Sequence, residues 1–396
     1  MPQPVILAAK RTPIGRFFGG LSRVPSPQLG AFAIQAVLGE IPAAKDHIDE
    51  CIMGCVLQAG LGQNPARQAG LKAGLPTTLN AMTINKVCGS GLQAVMLGAQ
   101  SIKAGDNQLV LAGGFENMTA APHYAHLRGG VKFGSAEFQD HMQHDGLFCP
   151  FECWGMTNAA DHTATKNGIS REEQDRFSAQ SHQRAAKATE NGWFDAEIIA
   201  LTGQQVGNRK APGPEGGVSS DEGIRADSTA EALAKLRVIP GHESITAGNA
   251  SQISDGAAAL IVASQEKATE IGATPIARIV DYYTSGVDPK DIFEAPALGI
   301  AALLERNNLT VADIDLFELN EAFAAQLLAN IKVLDIPEDK LNICGGGIAL
   351  GHPIGASGAR VITTLLHQMI RTDAKRGIAS LCLGGGNSVS MLVERE

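Results

Sequence analysis

Two segments of the chain repeat one pattern of an apolar stretch, a glycine-rich turn, a helix and a second strand. The first runs from residues 47–50 to the turn at 88–91, a helical run at 92–103 and an apolar strand at 108–112. The second runs from 313–316 to the turn at 355–358, a helical run at 359–371 and a strand at 378–383. Strands this apolar are typical of sheets that are covered on both faces. The repetition therefore predicts an α/β fold built on a duplicated β-α-β unit.

The region between the two copies, residues 120–245, has a different character and is interpreted as a long insertion. Its Ser170-Arg171-Glu172-Glu173 segment is a capping box, with Ser170 as the N-cap of a helix. Residues 203–223 are rich in Gly, Pro, Asn and Ser, which predicts an exposed loop.

Length and charge limit the class of protein. The chain has 396 residues with 44% hydrophobic and 18% charged residues, as expected for a folded protein of two or more domains. A net charge of -9 argues against nucleic acid as the main partner. No apolar run reaches the ~18 residues of a membrane span, and the N-terminus lacks the pattern of a signal peptide. We expect a cytoplasmic protein that is not bound to a membrane.

The seven cysteines are odd in number and irregularly spaced, which favours free thiols over a disulfide framework. Cys51 and Cys55, like Cys149 and Cys153, are separated by three residues, whereas zinc sites typically have two, and no second ligand pair follows. We expect no metal site, and we interpret all cysteines except Cys88 and Cys382 as small buried hydrophobic residues.

Cys88 lies where an extended run, residues 82–87, meets a helix through a Gly-Ser-Gly turn. A helix N-terminus favours a thiolate, and its free N–H groups can hold an oxyanion. The alternative is a cysteine that fills space beside tight packing. His352 lies between Gly351 and Pro353, an irregular turn that favours a positioned base over an ordinary core histidine.

Cys382 ends a strand and enters a run of three glycines, which a cysteine buried only for packing would not need. Asn320 follows the strand-like run 316–319; it can hold a water or an oxyanion, or it can cap a helix that begins at Glu321. Two thiols and one imidazole, each set among glycines, indicate acyl transfer through a thioester.

Together these segments resemble the thiolases, over nearly the whole chain. The matching motifs, in chain order, are Arg11-Thr12-Pro13-Ile14-Gly15, Asn85-Lys86-Val87-Cys88-Gly89-Ser90-Gly91, Thr246-Ala247-Gly248-Asn249-Ala250-Ser251, Asn320-Glu321-Ala322-Phe323-Ala324, Gly351-His352-Pro353-Ile354-Gly355-Ala356-Ser357-Gly358 and Cys382-Leu383-Gly384-Gly385-Gly386. The resemblance implies a five-layered αβαβα body with an inserted loop domain. One thiolase half would comprise residues 1–120 and 246–270, the loop domain 121–245, and the other half 271–396.

The resemblance also implies a ping-pong acetyl-CoA C-acetyltransferase that condenses two acetyl-CoA to acetoacetyl-CoA and CoA, reversibly. Cys88 would be the acylated nucleophile, His352 its activating base and Cys382 the base for the α-proton. One oxyanion hole would combine His352 with a water held by Asn320, and the other the N–H groups of Cys88 and Gly384. Coenzyme A would be a substrate, with no permanently bound cofactor; its contacts would be Arg225, Ala247, Ser251, Leu147, Met156 and Phe323.

The segment from Ala121 to Gly134 looks like the loop through which short-chain thiolases form tetramers, so we expect a homotetramer built on a dimer. The chain departs from the family at Cys153-Trp154-Gly155 before Met156, at Ile292-Phe293-Glu294 and at Ser388. If large Phe293 and Trp154 both line the acyl pocket, they favour acetyl over longer groups; we expect this over the alternative, in which both lie on the loop surface.

Three alternatives remain at this point. A 3-ketoacyl-CoA thiolase of fatty-acid β-oxidation would cleave longer chains. A ketosynthase would usually pair its cysteine with two histidines, or with His and Asn, and would lack the second cysteine in Cys382-Leu383-Gly384-Gly385-Gly386. A non-catalytic acyl-CoA-binding protein would not need Cys88, His352 and Cys382 together.

Overall fold

The computed structural model of the chain describes residues 1–207 and 211–395. Fourteen strands occur in these residues: β1 (Pro4–Arg11), β2 (Gly15–Arg16), β3 (Glu50–Gly54), β4 (Asn80–Ile84), β5 (Leu109–Asn117), β6 (His123–Tyr124), β7 (Gln139–Asp140), β8 (Phe148–Cys149), β9 (Trp154–Gly155), β10 (Ser254–Ser264), β11 (Ala277–Gly286), β12 (Leu316–Leu319), β13 (Arg376–Leu383) and β14 (Asn387–Glu394).

The α-helices of the same residues are α1 (Ser26–Glu40), α2 (Pro65–Lys72), α3 (Ser90–Ala104), α4 (Met156–Lys166), α5 (Arg171–Glu190), α6 (Gly203–Val206), α7 (Ala230–Leu233), α8 (Gln265–Glu270), α9 (Ala295–Arg306), α10 (Ala324–Leu334), α11 (Gly347–Leu350) and α12 (Ile354–Thr372). Short 3-10 helices span Pro42–His47, Pro289–Glu294, Val311–Asp313 and Glu338–Lys340, and Met142–Gly146 form a π-helical turn. None of the described helices is long and apolar enough to cross a membrane.

The main sheet consists of two halves with the same strand arrangement. In one half β3 pairs in parallel with β5, β5 antiparallel with β10, and β10 antiparallel with β1; β4 adds a parallel edge to β3. In the other half β12, β13, β14 and β11 repeat that order and those directions. A short antiparallel pairing of β1 with β11 joins the halves. The predicted duplication is therefore confirmed, and it extends to strands that follow the repeated β-α-β unit.

Alternate residues of each strand face different helical layers, as the two-residue period of a strand requires. On β5, Leu109 and Leu111 pack with α1, whereas Val110 and Ala112 pack with α3 and α12. On β13, Ile378 packs with α9 and α10, on the outer face of the second half. The order of layers is thus helix, sheet, helix, sheet, helix, as predicted, with α3 and α12 in the middle.

The two glycine turns of the repeat meet in that middle layer. A Cβ added to Gly91 would lie 2.5 Å from the backbone nitrogen of Ala359, and one added to Gly358 would lie 2.3 Å from that of Leu92. Only glycine allows α3 and α12 to cross this closely. Because Cys88 precedes α3 and His352 precedes α12, the crossing brings both side chains to the same end of the helix pair.

The inserted region follows some predictions and corrects others. Ser170 accepts a hydrogen bond from the backbone of Glu173, so the capping box is confirmed. The interpretation of residues 203–223 as an exposed loop is wrong in part; positions 208–210 of that segment lie outside the described residues. Gly203–Val206 form a helical turn, and Asp221 is buried in an ion pair with Arg11 at 2.7 Å. The ion pair with Arg11 thus explains why Asp221 is buried although its neighbours are typical of a loop.

Candidate active site

A cavity of about 320 Å³ lies beneath the ends of α3 and α12. Cys88, His352 and Cys382 all line it, together with Gly384. Cys88 and Cys382 are 294 positions apart in the chain. The duplicated fold brings them, together with His352, to the same cavity. The prediction that they act together therefore has a geometric basis.

Cys88 is held by a strained turn. Val87, which precedes it, has φ of 47° although it is β-branched, and such a conformation persists only where the surroundings impose it. The Val87 amide donates to Asn85 Oδ1 at 3.0 Å, and its carbonyl accepts from Ser90 Oγ at 2.6 Å. These contacts fix the direction in which the Cys88 thiol leaves the backbone, toward the cavity.

The charge state of Cys88 differs from the expectation that the helix would favour a thiolate. The thiol packs against Val56, Leu57, Met118 and Ile354, and this burial raises the pKa of Cys88 to about 12. Hydrogen bonds from the backbone of Gly384 and of Cys88 itself favour the thiolate but do not overcome the loss of solvent. The direction of this shift is opposite to the one expected from the helix N-terminus, because apolar contact outweighs the helix terminus.

The proton on His352 can be assigned from its partner. His352 Nδ1 lies 2.6 Å from Ser357 Oγ, and Ser357 Oγ donates to the carbonyl oxygen of Pro353 at 2.9 Å. Since a hydroxyl has one proton, Ser357 must accept from His352 Nδ1–H. His352 Nε2 therefore carries the free lone pair, which is what a base requires. Burial and the positive charge of Arg360 lower the pKa of His352 to about 3, so the ring is neutral.

Asn320 is buried next to His352 and is oriented by a buried ion pair. Its Nδ2 lies 3.5 and 3.4 Å from the two ring nitrogens of His352, and its Oδ1 is 3.5 Å from Arg360 Nη2. Arg360 is itself paired with Glu318 at 2.7 Å. The amide nitrogen is thus turned toward the imidazole. The alternative in which Asn320 caps a helix is wrong, since α10 begins at Ala324 with Phe323 as its N-cap.

Cys382 is the penultimate residue of β13, next to the Gly384-Gly385-Gly386 turn. It is 2% exposed, and burial, together with the nearby Cys88, raises the pKa of its thiol well above the ordinary value. A side chain at Gly384 would approach Val87 Cγ1 to 3.0 Å, so glycine lets the two cysteine-bearing turns pack together. The backbone of Gly384 consequently reaches the Cys88 sulfur, as noted above.

Sequence reasoning missed two residues that organise this site. The sequence motifs assign no role to Ser357, and none of them includes Glu116. Glu116 accepts hydrogen bonds from the backbone of Val56 at 3.0 Å, of Leu57 at 3.1 Å and of Gly355 at 2.9 Å. Burial raises the pKa of Glu116 to about 7. It links the first half of the fold to the turn that carries His352, and only its position inside an apolar strand could have signalled this.

The residues expected to contact coenzyme A fall into two groups. Leu147, Met156, Ser251 and Phe323 line the cavity, whereas Arg225 and Ala247 do not and are exposed to solvent. The cavity is thus suited to the acyl group and the part of the substrate next to it.

The structure separates the large residues at which the sequence departs from its relatives. Phe293 lines the cavity and is 2% exposed. Trp154 does not line it; the side chain is partly buried and packs against the apolar cluster that contains Phe293. The expectation that both residues line the pocket is therefore wrong for Trp154. Ser388 also lies outside the cavity lining, with its hydroxyl 2.7 Å from Ser285 Oγ.

Arg11, from the first matching motif, lies outside the cavity. Its guanidinium is buried between Glu197 at 2.6 Å and Asp221 at 2.7 Å. It fastens the inserted region to β1 and does not reach the cavity. Among residues 1–207 and 211–395, no group of three or more His, Cys, Asp or Glu side chains is placed to bind a metal ion.

Comparison with known proteins gives consistent results over the whole chain. The family models described as "Thiolase, N-terminal domain" and "Thiolase, C-terminal domain" match residues 4–266 and 273–395. A protein named acetyl-CoA acetyltransferase from Chromobacterium violaceum is 48% identical, covering 98% of this chain and 99% of that protein. One of the same name from Cupriavidus necator is 47% identical, with both chains covered fully. The crystal structure of the Bacillus anthracis acetyl-CoA acetyltransferase superposes with a TM-score of 0.94 at 41% identity, covering 100% of this chain and 99% of that one.

Proposed function

The chain belongs to the thiolase family, and on that premise we propose that it is an acetyl-CoA C-acetyltransferase that condenses two acetyl-CoA to acetoacetyl-CoA and CoA. The observation that carries the proposal is the meeting of two thiols, Cys88 and Cys382, with the neutral imidazole of His352 in one cavity. The names of the full-length relatives support the same activity.

The first half-reaction transfers an acetyl group to the enzyme. Cys88 Sγ attacks the thioester carbon while its proton passes to His352 Nε2. The oxyanion of the tetrahedral intermediate is stabilised by the N–H groups of Cys88 and Gly384, which already point toward this sulfur. The CoA thiolate leaves and takes the proton of Cys382. The products are acetyl-Cys88, imidazolium His352, thiolate Cys382 and CoA.

The second half-reaction forms the carbon–carbon bond. The Cys382 thiolate removes an α-proton from a second acetyl-CoA, and the enolate oxygen is stabilised by imidazolium His352 and a water held by Asn320. The enolate carbon attacks the carbonyl of acetyl-Cys88, and the Cys88 thiolate is expelled. His352 returns its proton to Cys88, so that all three residues regain their starting states. No cofactor or metal is needed, and coenzyme A enters only as part of the substrates.

Phe293 supports selectivity for acetyl groups, because its large side chain lines the cavity and takes up space that a longer acyl chain would need. The alternative, a 3-ketoacyl-CoA thiolase that cleaves longer chains, would need that space. Steady-state rates of thiolytic cleavage of acetoacetyl-CoA and of six- and eight-carbon 3-ketoacyl-CoA test the proposal. We expect kcat/KM to fall with each added pair of methylenes; equal or rising values would favour the alternative, and no turnover would refute both.

The arrangement of domains and subunits forms part of the proposal. We take residues 1–120 with 246–270 and residues 271–396 as the two thiolase halves, with 121–245 as the loop domain over coenzyme A, whose outer part Arg225 and Ala247 would contact. The hairpin of β6 and β7 supports a tetramer, since its tip exposes Leu127, Val131 and Phe133, the last fully. The free edge of β4 supports the underlying dimer. We place the protein in the cytoplasm.

A further inference from the structure

One wall of the acyl cavity is built on a short 3-10 segment, Pro289–Glu294, which we call the wall loop. It presents Ile292 and Phe293 to the cavity. The Phe293 ring packs 5.5 Å from that of Phe323 and belongs to the same apolar cluster as Cys382. The wall loop therefore limits the space available next to the second thiol.

Apolar contact alone does not fix the wall loop, because it also carries the charged residues Lys290, Asp291 and Glu294. Asp291 accepts from His162 Nε2 at 2.9 Å and from Lys166 Nζ at 2.9 Å. Lys166 also reaches Glu294 Oε2 at 3.0 Å, and Asn167 Nδ2 reaches Glu294 Oε1 at 3.3 Å. We call these contacts the clamp.

The partners of the clamp come from α4 or the residue that follows it. The first residues of α4, Met156 and Thr157, themselves line the cavity. The clamp thus ties two walls of one cavity into a single unit. From α10, Asn330 Nδ2 donates to the carbonyl oxygen of Phe293 at 2.8 Å. This hydrogen bond restrains the backbone of the wall loop on that side.

The clamp is sheltered from water at Asp291 and more exposed at Lys166. Their side chains are 17% and 43% exposed, and the rings of Trp154 and His162 contact each other at a tilt, with centroids 5.9 Å apart. Burial opposes the charge on Asp291, yet the hydrogen bonds from Lys166 and His162 hold its pKa below the ordinary value. A carboxylate can only accept, so His162 Nε2 must carry a proton and its orientation is fixed.

Resting on the proposed function, we propose that the clamp determines acyl chain length by holding Phe293 in the cavity. His162, Lys166, Asp291 and Glu294 are positioning residues: they do not touch the substrate but set the place of the side chain that does. The substrate class is accordingly short 3-ketoacyl-CoA, with the four-carbon chain favoured over longer ones.

The test measures the ratio of kcat/KM for acetoacetyl-CoA to that for a six-carbon 3-ketoacyl-CoA. Asp291→Asn keeps the size of the side chain but removes its charge, and it should lower the ratio at least about 5-fold, since each excluded methylene contributes about 10- to 200-fold. Lys166→Met should act in the same direction. If either protein fails to fold, the other carries the test. Glu270→Gln removes an ion pair with Lys267 elsewhere on the surface and serves as the matched control, with an unchanged ratio.

A double-mutant cycle separates this role from a general loss of structure. In a Phe293→Ala background Asp291→Asn should change the ratio less than about 2-fold, because the side chain that it positions is gone. An unchanged ratio in Asp291→Asn, or an equal change with and without Phe293, would overturn the proposal. Wild-type enzyme that turns over neither substrate would instead refute the proposed function.

Discussion

Ser357 should control the acylation rate through the tautomer of His352. Its hydroxyl oxygen accepts a hydrogen bond from the Nδ1–H of the imidazole at 2.6 Å, and its own O–H donates to the carbonyl oxygen of Pro353 at 2.9 Å. Ser357→Ala removes the acceptor without filling space. A buried N–H left without a partner costs about 1–3 kcal/mol, so the alternative tautomer, with Nε2 protonated, becomes competitive. In that tautomer the atom that should take the Cys88 proton is already occupied.

The expected loss follows from these energies. If the full penalty of about 1–3 kcal/mol appears in the barrier, the rate of acylation falls about 5- to 150-fold. Rapid-quench measurement of the first CoA released from acetyl-CoA reports this step alone. KM should change little, because Ser357 is buried and does not line the cavity.

Ser357→Thr restores the hydroxyl and is the conservative variant. It should recover acylation relative to Ser357→Ala, whereas a purely structural role would show equal losses or a larger one in Thr. Thermal unfolding of both variants verifies that the native state is populated at the assay temperature. Wild-type acylation by a folded Ser357→Ala enzyme would show that another contact selects the tautomer, and the assignment would fail.

Further consequences concern the second thiol, the hairpin and the pH dependence of stability. Cys382→Ser should still permit acetylation of Cys88, seen by peptide mass spectrometry, while condensation falls at least ~10²-fold; condensation at the wild-type rate would exclude Cys382 as the base. Phe133→Asp places a charge at the exposed tip of the hairpin and should convert the tetramer to a dimer in light scattering. An unchanged tetramer would show that the hairpin does not form the contact between dimers. His352 has a folded pKa of about 3 against 6.5 unfolded, so the unfolded state binds the extra proton between these values. Its contribution to stability should therefore weaken as pH falls from 6.5, by up to about 1.4 kcal/mol per pH unit, and denaturant unfolding of His352→Gln should lack this component.

Much of the site could be predicted because its chemistry depends on local sequence. Cys88, His352 and Cys382 each carry glycine neighbours that a packed strand or helix would not require, and those glycines allow the close crossing of α3 and α12. The duplicated fold could likewise be predicted, because the apolar strands of the two halves follow the same order along the sequence. These features are encoded within a few residues of where they act.

What could not be predicted depends on contacts between distant segments. Asp221 lies in a stretch whose composition is that of a loop, yet Arg11, 210 positions away, makes it part of the core. Nothing near Glu116 indicates that it accepts the backbone N–H of Gly355. The large side chain of Trp154 predicts a place in the cavity, but the indole packs in the apolar cluster with Phe293 and does not line the cavity. Size alone does not tell which side of a wall a residue occupies.

The charge state of Cys88 distinguishes this site from one with a preformed thiolate. Burial raises the pKa of the thiol and lowers that of His352, so both groups are neutral before substrate binds. Proton transfer must then accompany attack on the thioester, when the negative charge moves to an oxygen held by backbone N–H groups. A preformed thiolate–imidazolium pair would instead react rapidly with any small electrophile, even without a carbonyl group to activate it.

Alkylation by iodoacetamide, followed site by site in the mass spectrum, decides between these states. Cys153 is exposed, so its interpretation as a buried residue is wrong, and it serves here as the reference thiol. We expect modification of Cys88 to be slow at pH 7, slower than that of Cys153, and to accelerate steadily above pH 8. Acetyl-CoA should nevertheless acetylate Cys88 and not Cys153 at pH 7, because only the cavity provides the base and the oxyanion donors. A plateau of fast Cys88 alkylation between pH 6 and 8 would mean that the ion pair exists at rest, and that coupled proton transfer does not describe this enzyme.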